Sequence, residues 1–435
     1  MSWQYLLKKL FGVTGIQVAS KLLTLTISVV LARELGPENF GNYGFILSLL
    51  ILLSTPAISG VNDFLVREVS SCVREQYHPK KIIYFTGAYS LTISVFLSIV
   101  LILFGSLIFG GENLGQYNTQ LILLVFVRTL LYLNVAILNG YAKSVLSQFF
   151  SVMVNPIVLC VYIFFKLRFS EPLTLEDVIN AYLSASSISL SMAFLASFIF
   201  IFRNDAAFVV QGFSFKDCLP SIFRLSAIGV ISTANYELAP VLIGLLNDHE
   251  SVAYYRVAMQ MASIFVFFIA GVNVITSPEI AHSYQKGDKD KLQNTLNKVV
   301  ATNVIISLPI VLAFIVFGEE IIIRLFGVEY RGAYIVLVVI VLAQFINISS
   351  GPVAMVLHMT GHENKSLETL TYSFIVLLLT MPIMTHLYGV NGAAFSAAIV
   401  MIYWNLRMAV EVKKTIGVKT WLSLDTFNAL RNKTK

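Results

Sequence analysis

Residues 82–109 are the stretch that decides the fold, and they read IIYFTGAYSLTISVFLSIVLILFGSLIF without a single Asp, Glu, Lys or Arg. About 20 consecutive apolar residues in a helix cross the hydrocarbon core of a bilayer. The stretch therefore predicts a transmembrane helix. Working outward from it, the sequence contains eleven similar runs, and the twelve predicted spans are 11–32, 41–62, 82–109, 119–141, 145–165, 178–202, 222–246, 253–277, 299–317, 333–357, 367–387 and 391–410.

The composition of the whole chain supports the same fold class. Of its 435 residues, 57% are hydrophobic and 12% are charged, against about 45–50% and 25% in soluble domains. The net charge of +6 is spread thinly along the chain, without the basic face that nucleic-acid binding requires. The cysteines Cys72, Cys160 and Cys218 form no CxxC pair, so we expect free thiols. The sequence predicts an all-α integral membrane protein.

The basic residues predict how the chain is oriented in the membrane. If both termini are cytoplasmic, the inner segments hold 22 Lys and Arg residues and the outer segments hold six. Short cytoplasmic loops carry an excess of basic residues. We therefore predict that the N-terminus and the C-terminus both lie on the cytoplasmic side.

The loops between the predicted spans are short, and this limits the classes of function. The longest outer loop is about residues 318–332, and no Walker motif, Gly-rich phosphate loop or HExxH is present. These features argue against an ATP-driven pump and against a membrane polymerase or ligase with an extramembrane catalytic surface. We expect a protein that is not an enzyme and that needs no cofactor.

The chain contains a weak internal repeat. At an offset of 212 residues, 11–43 aligns with 223–255 without a gap, and seven of the 33 positions are identical, including Glu38/Glu250 and Tyr43/Tyr255. Two repeats of six helices enter the membrane in the same direction, and such parallel repeats place a substrate site near the midplane. We predict an N-terminal lobe (1–210), a C-terminal lobe (211–410) and a basic cytoplasmic tail (411–435), with a central cavity and alternating access.

The segment after the first predicted span, Ala32-Arg33-Glu34-Leu35-Gly36-Pro37-Glu38-Asn39-Phe40-Gly41-Asn42-Tyr43, resembles the signature of the O-antigen and polysaccharide flippases. These flippases belong to the multidrug/oligosaccharidyl-lipid/polysaccharide exporter superfamily. Other segments resemble the same family across nearly the whole chain: Val66-Arg67-Glu68, Pro278-Glu279-Ile280-Ala281, Gly287–Leu292, Leu325-Phe326-Gly327, Gly361–Lys365 and Tyr388–Ala394.

This resemblance implies a V-shaped pair of six-helix bundles, similar to multidrug exporters of the superfamily, around a polar cavity. It implies transfer of an undecaprenyl-diphosphate-linked oligosaccharide, such as an O-antigen unit, from the inner to the outer leaflet of a bacterial cytoplasmic membrane. A polysaccharide polymerase and a chain-length regulator are the partners that such a flippase implies, and H⁺ or Na⁺ is the coupling ion that it implies. Twelve helices argue against the related lipid II flippases, which carry two more.

Three charged residues lie near the centres of predicted spans, where charges are costly and usually functional: Lys21, Arg128 and Glu237. We expect the two cations to bind the diphosphate, because Arg offers a planar fork and Lys a compact charge. In the repeat alignment Lys21 matches a position one turn before Glu237, so Glu237 is interpreted either as the counter-ion of Lys21 or as a proton carrier. A buried Lys21–Glu237 pair that only fixes helix packing is the structural alternative.

Four further residues are secondary candidates for the cavity. The resemblance implies that Arg33 guides the head group at the outer mouth and Arg67 at the inner mouth; interfacial anchoring is the alternative for both. Gln344 and Asn347 could bind sugar hydroxyls or bond between helices. His358 and His362 have the spacing of a metal pair, but Thr360-Gly361 interrupts the helix between them, and we expect no metal site.

Three other functions remain open from the sequence. A drug/cation antiporter of the same fold would favour acidic cavity residues, a membrane-embedded transferase would need larger loops, and a scaffold would not need charges at mid-membrane. In the tail, Trp421, Leu424, Phe427 and Leu430 predict an amphipathic helix on anionic lipid, or alternatively a partly disordered segment.

Overall fold

The computed structural model describes residues 3–75, 78–109, 115–202 and 215–423. Those residues contain helices and no strand, which confirms the predicted all-α fold. In chain order the helices are α1 (Trp3–Arg74), α2 (Lys80–Phe109), α3 (Asn118–Gly140), α4 (Ser144–Gln148), a π-helix (Phe149–Met153), α5 (Val154–Arg168), α6 (Leu175–Phe202), α7 (Phe215–Leu246), α8 (His249–Ala262), α9 (Ile264–Gln285), α10 (Lys289–Phe326), a 3₁₀ turn (Val328–Tyr330), α11 (Ala333–Ser349), α12 (Val353–Met359) and α13 (Glu363–Thr415).

Two of these helices contain a sharp glycine break. In α1, Gly36 has φ 71° and ψ 171°, and in α13, Gly389 has φ 57°. Residues other than glycine rarely adopt such positive φ angles, and Pro37 disfavours a helical conformation at the residue before it. Each break falls between two predicted spans. The segments that we expected to form loops there are therefore nearly continuous helix, bent at one glycine.

Nine helices in the described part of the chain are long and apolar enough to cross a membrane, including α1 and α13 with their breaks. Several predicted spans consist of two adjacent helices; α11 and α12, for example, together cover the predicted span 333–357. Length and composition support a multi-pass membrane protein. They determine neither the number of crossings nor their direction, so twelve spans and cytoplasmic termini stay predictions.

The distribution of side chains also fits a lipid environment. On α2, Val95, Phe96 and Ile102 are exposed, whereas Ser90 and Ser94 are fully buried. The Ser90 hydroxyl donates to the carbonyl of Ala57 at 2.7 Å, and the Ser94 hydroxyl donates to Thr129 at 3.1 Å. Apolar surface outside and hydroxyl bonds between helices are typical of packing in a bilayer.

The first of two compact units is Met1–Leu238, which contains α1 to α6 and most of α7. In this unit, α7 packs on the second half of α1 through small residues. A Cβ atom on Gly60 would lie 2.3 Å from the Ser226 nitrogen, and one on Gly229 would lie 2.3 Å from the Ser59 Cβ. This unit ends beyond the lobe boundary at residue 210 that the repeat predicts. The repeat reflects sequence similarity and the unit reflects packing, so the predicted lobes stay a prediction.

The second unit is Ala239–Lys435, and the start of the predicted tail packs against it. After α13 ends, the Lys419 N–H donates to the Gln293 side chain at 2.8 Å, and that side chain donates back to the Lys419 carbonyl at 2.7 Å. Val418 and Thr420 are buried, and Trp421 packs against the core. The predicted amphipathic helix is wrong at Trp421, because this backbone is non-helical and tied to α10. Leu424, Phe427 and Leu430 lie outside the described residues.

Candidate functional site

The first half of α1 carries a polar surface that includes Lys21. Gln17 and Lys21 are both exposed and stand one helical turn apart. The Gln17 side chain donates to Gln148 at 3.3 Å. Within the described part of the chain, Lys21 has no ion pair or hydrogen bond. Val18 and Leu22 beside them are exposed too, and Gln148 is half-buried. A charge is costly in hydrocarbon, so the side of α1 that carries Gln17 and Lys21 is expected to border water.

A serine next to Lys21 connects this helix to the π-helix. Pro156 has no N–H that could bond the carbonyl of Val152, four residues earlier. The Ser20 hydroxyl donates to that carbonyl, and the Ser189 hydroxyl donates to the carbonyl of Phe150. The Val154 N–H bonds to the Phe149 carbonyl, five residues back, which makes the turn wide. Side chains from α1 and α6 thus hold the π-helical turn in place, and such turns are frequent at functional sites.

Arg128 lies in a small cavity of about 40 Å³ inside the first unit. We call it the Arg128 pocket. Its lining comes from α1, α3, the π-helix, α5 and α6: Leu50, Leu124, Arg128, Leu131, Tyr132, Ser151, Asn155, Tyr182 and Ser186. This set contains one cation and no carboxylate. Its electrostatic character is therefore positive.

The contacts of the Arg128 guanidinium are aromatic and uncharged. Its central carbon lies 4.9 Å from the centre of the Tyr132 ring, which is a cation–π geometry. Its charge also lies within interaction range of the Tyr182 hydroxyl. The Nε atom is buried and has no hydrogen-bond partner. Buried donors are normally satisfied, so this N–H is a donor whose hydrogen bond is unmet.

Glu237 lies on α7 and contacts α1 in the same unit. It accepts a hydrogen bond from the Ser48 hydroxyl at 2.9 Å. Among the described ion pairs, none joins Lys21 to Glu237. The structure therefore does not bring together the two charges that the repeat alignment placed on equivalent faces. Lys21 and Glu237 occupy nearly equivalent positions in the repeat alignment, but they do not contact each other in the structure.

The secondary candidates have separate surroundings. Arg67 is exposed, pairs with its neighbour Glu68 at 3.0 Å and lies 5.4 Å from the Phe64 ring. Arg33 is also exposed, at the end of the first half of α1.

The two amides of α11 bond to each other, since the Asn347 amide donates to the buried Gln344 side chain at 3.0 Å. That bond lies within one helix, so it is not the interhelical bond that the sequence left as the alternative. In the described residues no group of three or more His, Cys, Asp or Glu could hold a metal ion.

Sequence reasoning did not identify four side chains of the Arg128 pocket: Tyr132, Ser151, Tyr182 and Ser186. Tyr132 lies one turn after Arg128, and Ser186 one turn after Tyr182, so helical spacing could have suggested these pairs. Asn155 is a fifth polar side chain of the pocket that the sequence did not indicate as a site residue. Nothing in the sequence indicates that α3, the π-helix with α5, and α6 meet around Arg128.

Comparisons with known proteins agree with this architecture. A family model described as "Polysaccharide biosynthesis protein" matches residues 30–335. The chain is 22% identical over 380 residues to the probable low-salt glycan biosynthesis flippase Agl15 of Haloferax volcanii, covering 85% of this chain and 75% of that protein.

Among solved structures, the fold is similar to the lipid II flippase MurJ in an inward closed conformation. The TM-score is 0.76 at 16% identity, over 97% of this chain and 90% of that one. It is also similar to an inward-facing multidrug resistance MATE family transporter of the MOP superfamily, with a TM-score of 0.71 at 15% identity over 92% of this chain and 94% of that one. These likenesses confirm a fold of the exporter superfamily.

Proposed function

This chain belongs to the family of polysaccharide biosynthesis proteins, and we propose that it flips a polyprenyl-diphosphate-linked oligosaccharide from the cytoplasmic to the outer leaflet. The single observation that carries the proposal is the family match together with a glycan flippase as a relative. The family and its relatives make the chain a multi-pass membrane protein of the glycan-flippase group. The undecaprenyl carrier, the O-antigen or other surface-polysaccharide unit and the bacterial inner membrane are the specific parts of the proposal.

The physical problem of such a protein is to move a charged, hydrated head group past hydrocarbon. An exposed polar surface on a membrane helix gives the head group a hydrated path, while the isoprenoid chain stays in lipid. Lys21 is the cation that we assign to the diphosphate, because it lies on that surface and has no competing ion pair among the described residues. An ammonium group contributes a compact charge without a fixed geometry.

Other residues are assigned supporting parts. Arg33 and Arg67, both exposed near helix ends, guide the head group at the two mouths of the path. Gln344 and Asn347 can bind sugar hydroxyls only through the amide donors and acceptors that their mutual hydrogen bond does not use. The head group moves by alternating access, which the two-repeat organisation implies. H⁺ or Na⁺ is the coupling ion. A polymerase and a chain-length regulator are the proposed partners downstream.

A complementation experiment tests the proposal. The chain is expressed in a bacterium whose own flippase gene is deleted and whose lipid-linked oligosaccharides therefore accumulate on the cytoplasmic side. The proposal predicts that surface polysaccharide returns and that the accumulated intermediate falls. The empty vector and the Lys21→Gln chain, present in the membrane at equal levels, are the controls. An intermediate that stays at the level of the empty vector would contradict the proposal.

The similarity to a multidrug transporter favours one second candidate, a drug/cation antiporter of the same fold. Such a protein binds cations, for which an acidic site is suited, whereas the Arg128 pocket contains a cation and no acid. Drug susceptibility of the same strains separates the two functions. Raised resistance to cationic dyes without any return of surface polysaccharide would select the antiporter.

A further inference from the structure

We propose that the Arg128 pocket is a binding site for one small monovalent inorganic anion of the chloride type. The first argument is charge. Arg128 lies in the middle of an apolar helix, no carboxylate lines its pocket, and no ion pair in the described part of the chain includes it. Isolated charges inside a membrane protein are strongly unfavourable and are normally paired or bound to a ligand.

The second argument is the supply of hydrogen-bond donors. Arg128 Nε is buried and unused. The Asn155 carbonyl oxygen already accepts from Ser186 at 3.2 Å, so the amide NH₂ of Asn155 is the group left for a ligand. An amide nitrogen and a guanidinium donate and cannot accept. Two of the available groups can only donate, and the hydroxyls of Tyr132 and Tyr182 can donate as well, so the pocket suits an anion better than a cation.

The third argument is the number of charges. One guanidinium balances one negative charge, whereas a diphosphate would bring a surplus of negative charge into a pocket that leucine side chains partly line. A cavity of about 40 Å³ has room for a halide ion and one or two water molecules. A monoanion is consequently the better match, and the proposal does not depend on which glycan is transported.

The pocket is also connected to the surface that carries Lys21. Ser151 lines the pocket and belongs to the π-helical turn. The carbonyl of the next residue, Val152, accepts the hydrogen bond from Ser20, which precedes Lys21. An anion that orders this turn would also order the first half of α1. Anion binding is thus expected to stabilise the observed position of the first half of α1, in which the Lys21 side chain is exposed.

The test is thermal unfolding of the purified full-length protein in detergent while chloride replaces gluconate at constant ionic strength. The proposal predicts a saturable rise of the midpoint by about 2 °C or more in the wild-type protein. Bromide should act in the same way. Inorganic pyrophosphate, the probe for a diphosphate, should produce no Arg128-dependent rise.

Matched variants show whether the effect arises at this pocket. Arg128→Gln should lose the chloride-dependent rise, and Arg168→Gln, which removes an exposed cation at the end of α5, should keep it. Asn155→Ala should raise the half-saturating chloride concentration about fivefold, because it removes one donor. This variant also tests the proposal if Arg128→Gln does not fold.

Four results would overturn the proposal. The wild-type midpoint could fail to respond to chloride, or the response could persist in Arg128→Gln. A half-saturating concentration unchanged in Asn155→Ala would equally place the anion elsewhere. If pyrophosphate alone gives an Arg128-dependent rise, the pocket binds the diphosphate and not a small monoanion.

Discussion

Lys21 and Arg128 are both single basic residues in the middle of apolar helices, yet their surroundings differ. Lys21 lies on an exposed polar surface of α1 with Gln17 one turn away. Arg128 lies in a pocket among five helical segments, with a tyrosine ring 4.9 Å away and an unused Nε. The exposed cation is suited to a mobile head group and the enclosed cation to a small resident anion. A charge in an apolar run therefore indicates function without indicating which function.

The largest expected effect is on the exposed cation. Lys21→Gln should lower surface polysaccharide at least about tenfold, since it removes a charged contact to the head group. The thermal midpoint should stay within about 1 °C, because an exposed side chain contributes little to packing. Lys21→Arg should retain most transport. Export and protein level are measured in the flippase-deletion strain.

The control for that comparison is Lys286→Gln, at the exposed end of α9. It should leave export unchanged. If Lys21→Gln exports normally, or lowers the thermal midpoint as much as a core mutation does, the exposed-cation account fails and Lys21 has a packing role.

Two glycines, one enclosed and one exposed, allow the same comparison for protein stability. Gly60→Val should lower the free energy of unfolding by about 1–3 kcal/mol, because the Ser226 backbone leaves no space for a side chain. Gly87→Ala is the matched control on α2, where an added Cβ has nothing within 4 Å. It should be neutral or stabilising by about 0.5–1 kcal/mol. Thermal midpoints in detergent measure both, and equal midpoints would show that the α1–α7 contact is looser than described.

A smaller effect is expected at Ser48 and Glu237. Ser48→Ala should cost about 1–2 kcal/mol of stability, because it removes a hydrogen bond from the buried Ser48 hydroxyl to a half-buried carboxylate. Since no ion pair joins Lys21 to Glu237, the stability changes of Lys21→Gln and Glu237→Gln should add within about 0.5 kcal/mol. A double variant more stable than Glu237→Gln alone by more than that amount would show that the two charges do interact.

The smallest effect is expected at Arg67. Its pair with Glu68 is exposed, and such pairs contribute about 0–1 kcal/mol. Arg67→Gln should change stability by less than about 0.5 kcal/mol and export by less than about threefold. An export defect as large as that of Lys21→Gln would assign the main head-group contact to the Arg67 end of the path.

Much of the fold was predictable because hydropathy fixes the apolar helices. The breaks at Gly36 and Gly389 fall between predicted spans, although the short segments between those spans are bent helix and not loops. The position of Arg128 within its helix was also predictable. Its neighbours Asn155 and Tyr182 were not, because the pocket depends on how separate helices pack, and a single sequence carries little information about that packing.

One error has a clear physical origin, and one prediction from the repeat stays open. The periodicity of Trp421 with later residues suggested an amphipathic helix, but two hydrogen bonds between the Lys419 backbone and the Gln293 side chain hold this segment on α10. At Trp421 a local pattern was therefore overruled by a partner distant in the sequence. The repeat alignment predicts that Lys21 and Glu237 lie on equivalent faces; Glu237 accepts a hydrogen bond from Ser48, and the equivalence of the two faces stays a prediction.

The most direct test of the central claim is a flipping assay with the purified protein in liposomes. A fluorescent polyprenyl-diphosphate oligosaccharide is placed in both leaflets, and an impermeant reagent destroys the label in the outer leaflet. With the wild-type protein, the label from the inner leaflet should also become accessible, at a rate at least about tenfold higher than with Lys21→Gln. Equal rates in wild-type, Lys21→Gln and protein-free liposomes would contradict the account.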